Sequence, residues 1–158
     1  MAQCLNPNLP PGVHGTALRI YEHILGNCTD RVDLFPTFSV GIFNFFEYST
    51  SQLKFDVLKI IEKFYVDTIA VVPMLVGLVN AIIPGLNENH EELAKKIYSI
   101  FDKISSLLGR KWVDGAVWVN ILKSPRTRIA CFKYFQKSFK DRDKQAITRK
   151  EAIDFNKV

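Results

Sequence analysis

The side chains with the clearest capacity for chemistry are cations. Ser124 to Lys140 reads SPRTRIACFKYFQKSFK, and at helical spacing Arg126, Lys133, Lys137, Lys140 and Lys144 fall on one line. Cations aligned in this way attract lipid headgroups, nucleic-acid phosphates or an acidic protein surface, and the charge alone does not choose among them. Arg110 and Lys111 extend the set if the fold brings their loop alongside. A solvated face on a core helix is the plainer account of such a stripe. Phe132, Phe135 and Phe139, with Cys131, fall roughly opposite and are expected to pack inward. Arg128 projects toward that apolar side, where a structural ion pair is expected.

Other chemistry is thin. The chain has no G-x-S-x-G, P-loop, G-x-G-x-x-G or H-E-x-x-H motif, and its acids lie on solvent faces, so no catalytic residue is assigned. His14 has no second His or Cys at metal-ligand spacing, and a structural hydrogen bond is its expected role. Cys4, Cys28 and Cys131 are odd in number and lack C-x-x-C spacing, which argues against a disulfide framework and a zinc site and fits a reducing compartment. No cofactor or metal is expected. Ser124-Pro125 fits a proline-directed kinase, but a helix start explains both residues: serine as N-cap, proline at the first helical position.

The charge is unevenly placed. The 158 residues carry +5, yet residues 1–109 hold 8 Lys/Arg against 11 Asp/Glu, whereas residues 110–158 hold 13 against 5. The basic character therefore belongs to the last third. At 47% apolar and 12% aromatic, the chain can bury the core of one compact domain. The longest apolar run, Ile69 to Ile83, is broken by Pro73 and Asn80 and reads as too short to cross a bilayer; the first eight residues do not read as a secretory signal.

The elements that must position these groups are helical. Residues 1–8 are expected to be a flexible arm, residues 9–140 one helical domain and residues 141–158 a polar tail, partly helical or frayed. Leu18, Tyr21 and Leu25 mark a first helix ending near Gly26-Asn27. Asp33 to Tyr48 reads as a buried helix, with Pro36 and Gly41 as the places where it would break. Ser49-Thr50-Ser51 caps the next, with Leu53, Val57, Ile60, Ile61 and Phe64 inward and Lys54, Asp56, Lys59, Glu62 and Lys63 outward. Thr68 to Ile83 is apolar all round, which predicts a central helix that Pro73 kinks or begins. Pro84-Gly85 ends it. A long helix follows with Leu93, Ile97, Ile100, Phe101, Ile104, Leu107 and Leu108 inside and Gly109 as its C-terminal cap. Lys111 to Leu122 then forms a short helix whose Trp112 and Trp118 anchor packing. Phe64, Leu75, Leu78, Ile97, Ile100, Phe101, Trp118 and Phe135 are the expected core, and an apolar patch is expected to remain exposed near Phe139 and Ile147.

About seven such helices and no strand pattern predict an all-α fold of antiparallel-packed helices, a HEAT-like α-solenoid stack, with a closed helical bundle as the alternative.

In order along the chain, LPPGVHGTALRIYEHIL, DLFPTFSVGIFNFFEYSTSQLKFDVLKIIEKFYV, IIPGLNE and WVDGAVWVNILKSPRTRIACFKYF resemble the N-terminal region of the Dopey family. The resemblance runs from about Leu9 to Phe139. It implies a piece of a large cytoplasmic, peripheral scaffold of Golgi and endosomal membranes, acting in vesicle-mediated membrane traffic. It also implies as partners a HEAT-repeat Golgi protein related to Arf exchange factors and a lipid flippase. The family carries no established catalytic motif to transfer. Two function classes follow: a non-enzymatic scaffold module whose basic face meets anionic lipid or an acidic partner, or a nucleic-acid-binding helical domain. The resemblance favours the first, as does a basic face without interleaved aromatics.

Overall fold

Apolar residues repeating every three or four positions become helices here because each helix has a neighbour on which to bury that stripe. In α5 (Glu91–Leu108), Leu93, Ile97, Ile100, Phe101 and Ile104 are all buried. His90 begins the helix, its Nδ1 accepting the Leu93 N–H at 3.3 Å. Gly109 ends it with a φ of +89°, a conformation that suits glycine, and the chain enters α6 (Arg110–Lys123) at once.

The computed structural model describes the backbone of residues 2–28 and 32–155. It describes side-chain surroundings as far as Asp141, those of Ala2, Pro11 and Val32 excepted. Among the described residues there are seven α-helices and no strand: α1 (Pro11–Asn27), α2 (Phe35–Tyr48), α3 (Ser51–Phe64), α4 (Leu75–Ile82), α5, α6 and α7 (Arg128–Phe155). The chain is all-α, as its periodicity predicts. Helix α1 packs on α3, α2 on α3 and α4, α3 on α5, α4 on α6, and α6 on α5 and α7. Spatial neighbours are close in sequence, an order compatible with a stack of helix pairs and with a small bundle.

The core runs through all seven helices, with Leu25, Ile42, Phe46, Leu58, Ile61, Tyr65, Leu78, Ile82 and Ile97 among its fully buried side chains. Polar joints cross it. Asn120 of α6 donates through Nδ2 to the Ala116 carbonyl of its own helix and to the Val76 carbonyl of α4, at 2.9 and 3.1 Å. His14 is buried against the Phe45 ring, and its Nε2 donates to the Asn6 carbonyl at 2.8 Å, the structural role expected of it.

Several expectations are corrected. Within residues 1–8, Ala2–Leu5 forms a 3-10 turn whose Leu5 is buried while Gln3, Cys4 and residues 6–8 are exposed. Helix α2 is continuous. The apolar run is divided rather than one helix: a 3-10 turn Ile69–Met74 containing Pro73, then the short α4, then a second 3-10 turn Ile83–Asn87. As one helical stretch, Ile69–Asn87 is long and apolar enough to cross a membrane, contrary to the sequence reading. A core position accounts for the same composition, since 56% of that stretch is buried inside the protein. Lys54 points inward, paired with Glu88 and set over the Phe46 ring. Phe64 is only partly buried, and Leu107, Trp112 and Trp118 are exposed.

The start of α7 also moves. Ser124 ends α6, its N–H bonding the Asn120 carbonyl, and residues 125–127 form a turn before the helix begins at Arg128. Ser124 thus caps the preceding helix rather than opening the basic one. The helix then runs unbroken to Phe155, while Lys144 and Ile147 have side chains outside the described residues.

Candidate interaction surface

Helix α7 buries a narrower face than its phenylalanines suggest. Ala130, Cys131, Tyr134, Phe135 and Ser138 face the core, and the small members of this set let α7 approach α6 and the 83–87 turn closely. Phe132 and Phe139 are half exposed, at 54% and 53%, so of the three phenylalanines only Phe135 is buried as expected. Burial raises the Cys131 thiol above its ordinary pKa, which makes it inert rather than nucleophilic. Tyr134 donates its hydroxyl to Asp114 at 3.0 Å, and burial is the main reason that its pKa lies above the ordinary value.

The predicted cations divide into three groups. Arg126 lies in the turn before α7 and pairs with Glu47 of α2, so it leaves the stripe and ties the turn to another helix. Arg110 is likewise committed: it donates to the Ser138 hydroxyl at 2.9 Å and lies beside Tyr134. Lys111 is exposed but sits on the outer side of α6. Lys133, Lys137 and Lys140 are all exposed and lie on one line of α7. Lys133 reaches the Leu86 carbonyl at 3.4 Å, and the Lys137 ammonium rests 3.6 Å from the centre of the Tyr98 ring. Among the described residues Arg128 has no ion pair of the expected kind. Its Nε donates to the Ile121 carbonyl at 3.0 Å, satisfying one of the free carbonyls at the end of α6.

An open cleft of about 710 Å³ lies between α5 and α7, lined in part by Lys95, Tyr98, Asp102, Lys103 and Lys137. The sequence reading missed the α5 contribution. Lys95, Tyr98 and Asp102 recur at helical spacing and so declare one outward row, but nothing in the sequence says that α7 flanks it. The α5 cations are largely spent on neighbouring acids. Lys95 pairs with Glu91 and Glu92, while Lys96 and Lys103 both pair with Glu62. Hydrogen bonds from Lys103 and then Lys96 hold the Glu62 carboxyl below its ordinary pKa. Lys137 is the α7 residue that lines the cleft, and it does so beside Asp67 and Asp102. Tyr98, the one aromatic lining the cleft, stacks on Tyr134 as well as carrying Lys137. Among the described residues no group of three His, Cys, Asp or Glu side chains is placed to hold a metal.

The chain matches the family model described as "Dopey, N-terminal" over residues 1–157. Its relatives include mouse Protein DOP1B, 32% identical over 82% of this chain, and the Xenopus laevis protein of the same name, 29% identical over 82%. Protein pad-1 of Caenorhabditis briggsae is 29% identical over 88% of the chain. In each case the match covers about 6% of the relative, so this chain corresponds to a small part of those proteins. No solved structure matches. With the family model covering all but the last residue, the chain belongs to the Dopey family and corresponds to its N-terminal region.

Proposed function

We propose that this chain is a non-enzymatic scaffold and interaction module acting in vesicle-mediated traffic between Golgi and endosomes. It resides on the cytoplasmic side as a peripheral component, and the Lys133, Lys137 and Lys140 flank of α7 meets anionic headgroups. Family membership supports the scaffold role. The observation that carries the surface reading is the separation of these three lysines from Arg126 and Arg110, which are held by Glu47 and Ser138. Each cation near an anionic leaflet contributes about 1 kcal/mol, so three give weak, salt-sensitive attraction that needs a second anchor. The HEAT-repeat Golgi protein and the lipid flippase associated with the family are the protein partners this reading takes up.

The nucleic-acid alternative loses its best argument in the cleft. A base-stacking surface needs an open aromatic face, and the Tyr98 ring already carries Lys137 and stacks on Tyr134. The test is flotation with phosphatidylserine vesicles beside a gel shift with single-stranded RNA, each across a salt series. Vesicle binding that Lys133→Glu, Lys137→Glu and Lys140→Glu together abolish supports the reading. A gel shift without vesicle binding overturns it in favour of nucleic acid.

A further inference from the structure

Opposite the lysine flank, α6 and α7 build a second surface of different chemistry. The Trp118 ring lies 5.2 Å from Phe135, and Phe135 stacks on Phe139 at 5.9 Å, which makes one aromatic ladder across the seam between the two helices. Phe135 is buried, but Trp118 is 53% exposed and Phe139 equally so. Leu122 follows Trp118 one turn later and is 75% exposed; Phe132 stands two turns before Phe139 on the same line of α7. An apolar strip two helices wide, rich in Trp and Phe, has the composition of an interface centre rather than of ordinary surface.

Among the described residues its rim is cationic. Lys111 lies on the Trp118 line of α6, and exposed Arg128 lies on the Phe132–Phe139 line of α7. The carboxylates described on these two helices are engaged elsewhere: Asp114 accepts the Tyr134 hydroxyl, and Asp141 acts on Tyr98 at the α5 side. From this complementarity we infer that the α6–α7 aromatic face docks an amphipathic helix of a protein partner, its apolar seam lying along Trp118, Phe132 and Phe139 and its Asp/Glu flanks meeting Lys111 and Arg128. The inference rests on the proposed interaction role but not on membrane binding, since the lysines at the cleft lie on the other flank of α7. A second copy of this chain fits less well, because symmetric pairing through this face would bring Lys111 and Arg128 against their own kind.

The test uses the full chain in a Trp112→Phe background, so that fluorescence reports Trp118 alone. The probe is a synthetic helix of about six turns with a leucine seam and glutamate flanks, set against the same seam with lysine flanks. The glutamate-flanked helix should bind saturably with a blue shift of Trp118, about tenfold or more tighter than the lysine-flanked one. Phe132→Ser with Phe139→Ser should remove that binding, with helicity by circular dichroism kept. Lys111→Glu, which touches no packing, should narrow the preference between the two probes. Failure of both probes to bind, or equal binding of both, overturns the inference. So does a wild-type dimer that the two serine substitutions turn into a monomer, or quenching of Trp118 by brominated vesicles without peptide binding. Loss of vesicle flotation in the cleft-lysine variant, with peptide binding kept, leaves this inference standing and confines any failure to one surface.

Discussion

The first five helices and the last two use the same residue types toward different ends. From α1 to α5, aromatic and aliphatic rows turn inward, and several lysines are matched by acids: Lys54 with Glu88, Lys63 with Glu22, Lys95 with Glu91, and Lys96 and Lys103 with Glu62. In α6 and α7, two phenylalanines and both tryptophans stand half exposed, and Lys133, Lys137 and Lys140 are exposed on one line, with Asp102 and Asp141 as the nearby described acids. Burial and pairing mark a region that holds the fold. Aromatic exposure beside a line of exposed lysines marks one available to something else.

Truncation should separate the two regions most sharply. Phe101→Ala empties a fully buried site, and the expected loss is about 3–5 kcal/mol by urea denaturation. Phe139→Ala should cost about 1 kcal/mol or less, since half of that ring is already in water. Equal losses would erase the distinction between core and working surface.

A glycine gives the next effect. A Cβ at Gly85 would come within 2.6 Å of Ile97 Cδ1, itself fully buried, so Gly85→Ala should cost about 1–3 kcal/mol as Ile97 is pushed off its rotamer. At Gly115 of α6 a Cβ meets nothing within 4 Å, and Gly115→Ala should stabilise by about 0.5–1 kcal/mol through helix propensity. Thermal melts of the two variants moving in the same direction would contradict the packing described.

The smallest effect concerns charge. The Glu62 carboxyl is held below its usual value of 4.5 by Lys103 and Lys96, so its contribution to stability is complete above that value and fades as pH falls through the lower folded value. Glu62→Gln should cost about 1 kcal/mol or less at pH 7, and the gap from wild type should close in acid. A gap that widens as pH falls would mean that these lysines do not hold the carboxylate.

Much of the fold was legible because α1, α3 and α5 carry one dominant apolar row each, and Gly109 stands where a helix must end. The last two helices were harder to read. Helix α7 has apolar groups on two adjacent faces, and sequence weight favoured the larger one, Phe132, Phe135 and Phe139. The structure buries Cys131 and Phe135 as expected, but with Ala130, Tyr134 and Ser138 rather than Phe132 and Phe139, because small side chains allow closer approach between helices. Trp118 was misplaced for the same reason: Val113, Ala116, Val117 and Asn120 form the contact face of α6. Of the predicted cations, Lys133, Lys137 and Lys140 stay together, whereas Arg126 was lost because Ser124 and Pro125 served a turn rather than a helix start. The Glu47 that claims it is 79 residues away in sequence, beyond the reach of any periodicity.

The central claim is that the α7 lysine flank binds anionic surfaces without holding the fold. It is tested most directly by measuring vesicle affinity and urea midpoint together for the wild type and for the variant with Lys133, Lys137 and Lys140 changed to Glu. The account predicts salt-dependent binding of the wild type to phosphatidylserine vesicles, loss of that binding in the variant, and a stability loss of no more than about 2 kcal/mol from the Lys133–Leu86 and Lys137–Tyr98 contacts, with the variant still folded. Binding retained by the variant, or lost only together with the fold, would contradict it.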